Sequence, residues 1–207
     1  MMFDIVKKLM FAREIDFEEG SINLLGHPIV MCPVVTFVEI RKMLETVDAT
    51  ALLYQASKTS GIDYMKSIGK KFGMKEQDLL KWGVNTISLA GWGKTKILKL
   101  DPEEKISITV LEDSSFVRCY GKSREPVDDI FRGYAAATAS ICFKTDMDVI
   151  EVKCKAMGDR VCEIVAKPFG SFDMKDPSVR KQLEIQNKSI AKMLENKQAI
   201  SSSKERQ

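Results

Sequence analysis

Two cysteines and a glutamate in the last third of the chain carry the clearest chemical potential. They stand in the run Glu151-Val-Lys-Cys154-Lys-Ala-Met-Gly158-Asp159-Arg-Val-Cys162. Cys154 and Cys162 are symmetric about Gly158, so a hairpin turning on that glycine sets them opposite each other. Opposed Cβ atoms stand about 4.5–5.5 Å apart, and two thiolates so placed can share one tetrahedral Zn²⁺ through bonds of about 2.3 Å. The same spacing also suits a disulfide, or the plain packing of two buried thiols. Glu151 lies three residues before Cys154, on the other face of a regular strand. It joins the thiols only if the strand bulges or ends there. Cys-x7-Cys is less specific than paired CxxC knuckles.

The elements that must hold this hairpin follow from hydrophobic periodicity. Residues 1–14 space Met2, Val6, Leu9 and Met10 as a short amphipathic helix does, and Ile15 to Cys32 reads as a β-hairpin or ribbon punctuated by Gly20 and Gly26-His27-Pro28. Three helices are expected at 34–47, 49–72 (ended by Gly73) and 75–89 (closed by Gly91-Trp92-Gly93). Period two then takes over, predicting strands at 96–100, 105–111 and 115–120. Pro126 opens a helix over 127–143 that is rich in alanine, and strands at 148–154 and 160–166 flank Gly158. A polar helix over 179–197 has a thin apolar seam of Val179, Leu183, Ile190, Met193 and Leu194, with disorder expected from Ser201 onward. Helices followed by antiparallel strands indicate an α+β fold, with helices packed on an antiparallel sheet, an N-terminal hairpin extension and a C-terminal helical tail. The divisions fall at 1–33, 34–170 and 171–207.

Composition excludes several function classes. A net charge of +3 gives no field that recruits nucleic acid directly, and the excess is local. Residues 175–207 hold eight Lys/Arg against four Asp/Glu, while the remainder is nearly neutral. No apolar run reaches the length of a membrane span, and the N-terminus is a poor signal peptide. Five cysteines, an odd number, argue against a secreted disulfide framework, so a reducing cytoplasm is expected. His27, the one histidine, sits in a Gly-His-Pro turn and reads as a surface residue. No Ser/His/Asp set can be assembled around it, and Gly-Trp-Gly lacks the rest of a phosphate loop.

The run from Cys154 to Cys162 followed by Ile164-Val-Ala-Lys167-Pro168 resembles the terminal signature of the 4-vinyl-reductase-type (hydrocarbon-binding) domain family. Gly91-Trp92-Gly93, Glu112-Asp113-Ser114, Glu125-Pro126-Val127, Gly133-Tyr134-Ala135 and the helix Tyr54 to Gly61 fall in that family's order. The likeness covers about residues 34–168 and is strongest from 91 onward. It is similar to the sensor domains of phenol- and xylene-responsive activators, and distantly to TRAPP tethering subunits. It implies a domain, usually dimeric, that encloses a small apolar ligand.

In those sensors the metal set resembles a Cys, then Glu-x2-Cys-x7-Cys. Glu151, Cys154 and Cys162 match the last three positions, and Asp128 stands where the first Cys would follow Pro-Val. A site of two carboxylates and two thiolates follows, harder than one with three thiolates; Cys142 or Cys119 are substitutes. The resemblance also places Leu111 where the sensors carry a ligand-anchoring Trp, which implies a more apolar ligand than phenol, or none. Tyr54, Trp82, Trp92, Leu111, Phe131 and Tyr134 are the candidate pocket residues, with simple core packing as their other reading. The resulting expectation is a stand-alone, non-enzymatic binding sensor with a structural Zn²⁺ site, forming a homodimer and using its C-terminal helix toward a protein partner. A ligand-free dimeric adaptor is the alternative.

Overall fold

A computed structural model describes residues 15–24 and 26–204. The helix expected over 1–14 lies outside the described residues. The ribbon is a three-stranded antiparallel meander, β1 (Ile15–Glu18), β2 (Ser21–Leu24) and β3 (His27–Ile29). Helices α1 (Val34–Glu45), α2 (Ala51–Phe72) and α3 (Glu76–Leu89) follow. The main sheet comprises β4 (Lys94–Asp101), β5 (Ile106–Glu112), β6 (Met147–Lys153) and β7 (Cys162–Pro168), antiparallel in the order β4-β5-β7-β6. Between β5 and β6 come α4 (Ser115–Tyr120) and α5 (Asp129–Phe143), and the chain finishes with α6 (Pro177–Leu183) and α7 (Lys188–Lys204). The α+β architecture is the expected one. Among the described residues, no helix is long and apolar enough to cross a membrane.

Packing of α2 against α5 is the densest helical contact, and glycine makes it so. A Cβ on Gly133 would fall 2.6 Å from the Ser57 Cβ and collide with the Tyr54 carbonyl oxygen. Around this contact Tyr54, Phe116, Phe131, Leu111, Met147 and Val149 form one continuous core between helices and sheet. Van der Waals density of this kind holds the sheet face that presents the cysteine hairpin.

Three local features differ from the expectation. Ser115–Tyr120 is a helix rather than a strand, because Ser114 accepts from the Val117 N–H at 3.2 Å and caps it. The helix after Pro126 begins two residues later than predicted, at Asp129. The tail is broken in two, because Asn187 Oδ1 accepts from the N–H groups of Ser189 and Ile190 and starts a new helix there. Helix α7 runs to Lys204, through the residues expected to be disordered.

Candidate metal centre and ligand cavity

Strand β6 pairs with β7 in a register that matches Glu151 with Ile164 and Lys153 with Glu163, shifting between them. That shift is the bulge that Glu151 needs in order to turn toward the thiols. Beyond Lys153 the ladder stops, a short 3₁₀ turn over Lys155–Met157 intervenes, and Gly158 takes φ of 106°. Cys154 therefore sits just past the end of β6, facing Cys162 at the start of β7. One ligand atom each from Glu151, Cys154 and Cys162 lies within 4.8 Å of the others, and all three residues are buried.

Asp128 stands at the position that caps α5, yet its side chain caps nothing. It accepts from Ser114 Oγ at 2.9 Å and reaches the Cys162 thiol. Its main-chain N–H donates to Glu151 Oε2 at 3.2 Å. The second oxygens, Asp128 Oδ2 and Glu151 Oε1, are buried without a hydrogen-bond partner. Two orphaned carboxylate oxygens beside two thiols are costly as they stand, and they are the donor set that a divalent cation satisfies. The residues fit a metal. Burial raises the Asp128 carboxyl to about 6 and holds Glu151 well above the usual range. The hydrogen bond from Cys162 brings Cys154 down to about 6, and the same bond pushes the Cys162 thiol up. Cys142 and Cys119 are not in the cluster.

A buried polar frame fixes this corner. Gln182 on α6 accepts from the Glu151 N–H at 2.7 Å and donates to the Glu151 carbonyl at 3.1 Å. Asp129 accepts from Arg41 Nε at 2.7 Å and from Arg132 Nη2 at 2.6 Å. Arg132 also donates to the carbonyls of Val149 and Gln182 and lies over the Tyr54 ring. Sequence reasoning missed Gln182, Arg41 and Arg132. The one signal for Gln182 was its place beside Val179 and Leu183 on a single helix face.

The six candidate pocket residues separate into two groups. Tyr54, Leu111 and Phe131 are buried in the core, and Tyr54 is committed to Asp148, donating at 3.0 Å. Only about 20 Å³ remains between Phe131, α3 and the sheet, where the cavity was expected. Trp82, Trp92 and Tyr134 instead line a cavity of about 360 Å³ between α2, α3, α5 and the ribbon. His27, read as a surface turn residue, is part of its wall.

Residues 108–168 match the family model of the vinyl-4-reductase domain, which bears out the resemblance read from the cysteine hairpin. No curated protein matches the sequence significantly. Among solved structures, the phenol-responsive sensory domain of the transcription activator PoxR, crystallised with phenol, superposes with a TM-score of 0.71 at 21% identity, over 88% of this chain and 97% of that one. The chain thus shares its fold. A vinyl-4-reductase family protein from Methanocaldococcus jannaschii matches with a TM-score of 0.45 at 18% identity, over 68% of this chain and 83% of its own. Trafficking protein particle complex subunit 3 from Naegleria fowleri, covalently bound to palmitic acid, gives 0.48 at 12% identity, over 65% and 92%.

Proposed function

We propose that this chain is a non-enzymatic sensor module that binds a small, mainly apolar molecule and carries a structural Zn²⁺ site. The observation that carries the reading is the cavity of about 360 Å³ walled by Trp82, Trp92 and Tyr134. Its size falls at the lower end of small-molecule pockets, about 300–1,000 Å³, and an apolar wall with a few polar groups is their usual character. The PoxR domain, which has the same fold, was crystallised with phenol.

Cys154, Cys162, Glu151 and Asp128 are the proposed metal ligands, supported by the cluster within 4.8 Å and the two orphaned oxygens. Four protein ligands leave no open position, so a bound ion supplies cross-linking rather than a reactive water. It ties the β6–β7 turn to the start of α5. A second reading, a ligand-free adaptor that works through protein contacts, is favoured by the exposed apolar side chains Val35, Ile40 and Met43 on α1.

Native mass spectrometry of untagged protein separates the two. A small organic mass retained with the chain is the expected result, and a clean chain after expression in several hosts would leave the adaptor. Elemental analysis on the same sample should find near-stoichiometric zinc, absent in Cys154→Ser and Cys162→Ser. A metal-free parent, or a Cys154–Cys162 disulfide under reducing purification, rules the metal site out.

A further inference from the structure

The ribbon closes the cavity with Leu24, His27, Pro28 and Ile29, opposite Trp82 on α3. His27 Nε2 lies 2.5 Å from Ser67 Oγ. Ser67 in turn gives its hydroxyl hydrogen to the Tyr64 carbonyl at 2.8 Å. A serine hydroxyl has one hydrogen to donate, so in the His27–Ser67 bond the imidazole must be the donor. Neutral His27 is thereby fixed as the Nε2–H tautomer. Its Nδ1 is a lone-pair acceptor, and no bond to it is present among the described residues.

The other polar groups of the wall divide in the same way. Thr86 and Thr138 give their hydroxyl hydrogens to the Trp82 and Tyr134 carbonyls of their own helices. The hydroxyls of Tyr64 and Tyr134 make no hydrogen bond among the described residues. Tyr64 meets His27 edge-on with ring centroids 5.0 Å apart, and burial together with nearby Tyr134 pushes its hydroxyl up to about 12, so it stays protonated. The cavity therefore offers one fixed acceptor and two neutral hydroxyls at its polar end, with indole and aliphatic surface elsewhere.

We infer that His27 sets the specificity of this cavity, selecting an apolar molecule that carries one hydroxyl or N–H head. The head donates to His27 Nδ1 and accepts from a tyrosine hydroxyl. This inference rests on the cavity being the ligand site. His27 belongs to the ribbon, Tyr64 to α2 and Tyr134 to α5, so the head also fastens the ribbon to the helices.

The chain has two tryptophans and both line the cavity, so intrinsic fluorescence reports occupancy. Suitable probes are cyclohexylmethanol, its methyl ether and ethylcyclohexane, which are similar in shape and do not absorb where tryptophan does. The alcohol should bind about three- to tenfold tighter than the ether, the contribution of one hydrogen bond. In His27→Phe that preference should vanish while ethylcyclohexane binds as before, and circular dichroism should be unchanged. Equal affinity for alcohol and ether in the parent overturns the inference, as does a preference that survives His27→Phe. Loss of ethylcyclohexane binding in the variant also overturns it, since His27 would then only hold the ribbon shut. If none of the three probes perturbs the fluorescence, the ligand-site reading itself falls.

Discussion

Gly133 and Asp128 show how single residues decide this domain. With the Ser57 Cβ only 2.6 Å from a virtual Cβ, Gly133→Ala must push α2 off α5. The expected loss is about 1–3 kcal/mol, typical of overpacking, and a denaturation midpoint equal to the parent's would show that the helices can part freely. Asp128 leads to a prediction about pH. In metal-free protein burial holds its carboxyl up at about 6, with Glu151 also well raised, whereas an unfolded chain ionises both near 4. Between about pH 4 and pH 6 the folded state therefore holds more protons than the unfolded one, and stability falls as pH rises. Zinc needs these groups deprotonated, so its gain in melting temperature should be larger at about pH 7.5 than at about pH 5. Chelated Asp128→Asn should show a flatter slope of stability over pH 4–6 than the chelated parent; an unchanged slope would remove Asp128 from the cluster's energetics. The pairing of Cys154 with Cys162 was legible because it depends on symmetry about one glycine. Glu151 was legible only conditionally, since a bulge is a departure from the two-residue period that sequence patterns report.

Among the elements, those whose pattern extends over many residues were read correctly. Helix α2, at 22 residues, and the alternation along β5 left little choice of type. Short elements were not so constrained. The six residues of α4 include Phe116, Val117 and Tyr120, favoured in strands, and only the capping hydroxyl of Ser114 distinguishes the true state. That same hydroxyl donates to Asp128, so misreading α4 also hid a support of the metal corner. Helix α6 was read as part of a lightly attached tail, yet Val179, Gln182 and Leu183 are all buried. Its role can be tested by truncation. Ending the chain after Gln186 removes α7 alone and should leave the melting temperature nearly unchanged. Ending it before Pro177 also withdraws the Gln182 bonds to Glu151 and two aliphatic side chains that contribute roughly 1.5–3 kcal/mol each. A loss of about 3–5 kcal/mol should result, with weaker zinc retention. If both truncations behave alike, α6 does not brace the hairpin.

For the molecule as a whole, α1 is turned inside out relative to an ordinary surface helix. Its inner face buries Arg41, which donates to Asp129, Glu45, Tyr120, Glu125 and the Pro126 carbonyl. Those bonds fix the rotation of the helix, and the rotation sends apolar side chains outward. Val35, Ile40 and Met43 are exposed, Val47 continues the line, and Val30 and Met31 extend it on the chain entering the helix. Freeing this face by rolling α1 over would leave a buried guanidinium unpaired, which costs several kcal/mol. The apolar stripe is thus held in place by the polar network beneath it, and contiguous exposed apolar surface of this kind marks a contact site. A second copy of the chain is the expected partner, since a two-fold pairing lets one stripe cover its equivalent. Light-scattering chromatography at micromolar concentration should therefore return twice the 23.3 kDa chain mass. Ile40→Glu combined with Met43→Glu should yield a monomer whose circular dichroism matches the parent, because neither side chain supports the protomer core. A parent that elutes as a monomer, or a double variant that stays dimeric, would mean that this face is covered by something else or that the dimer forms elsewhere.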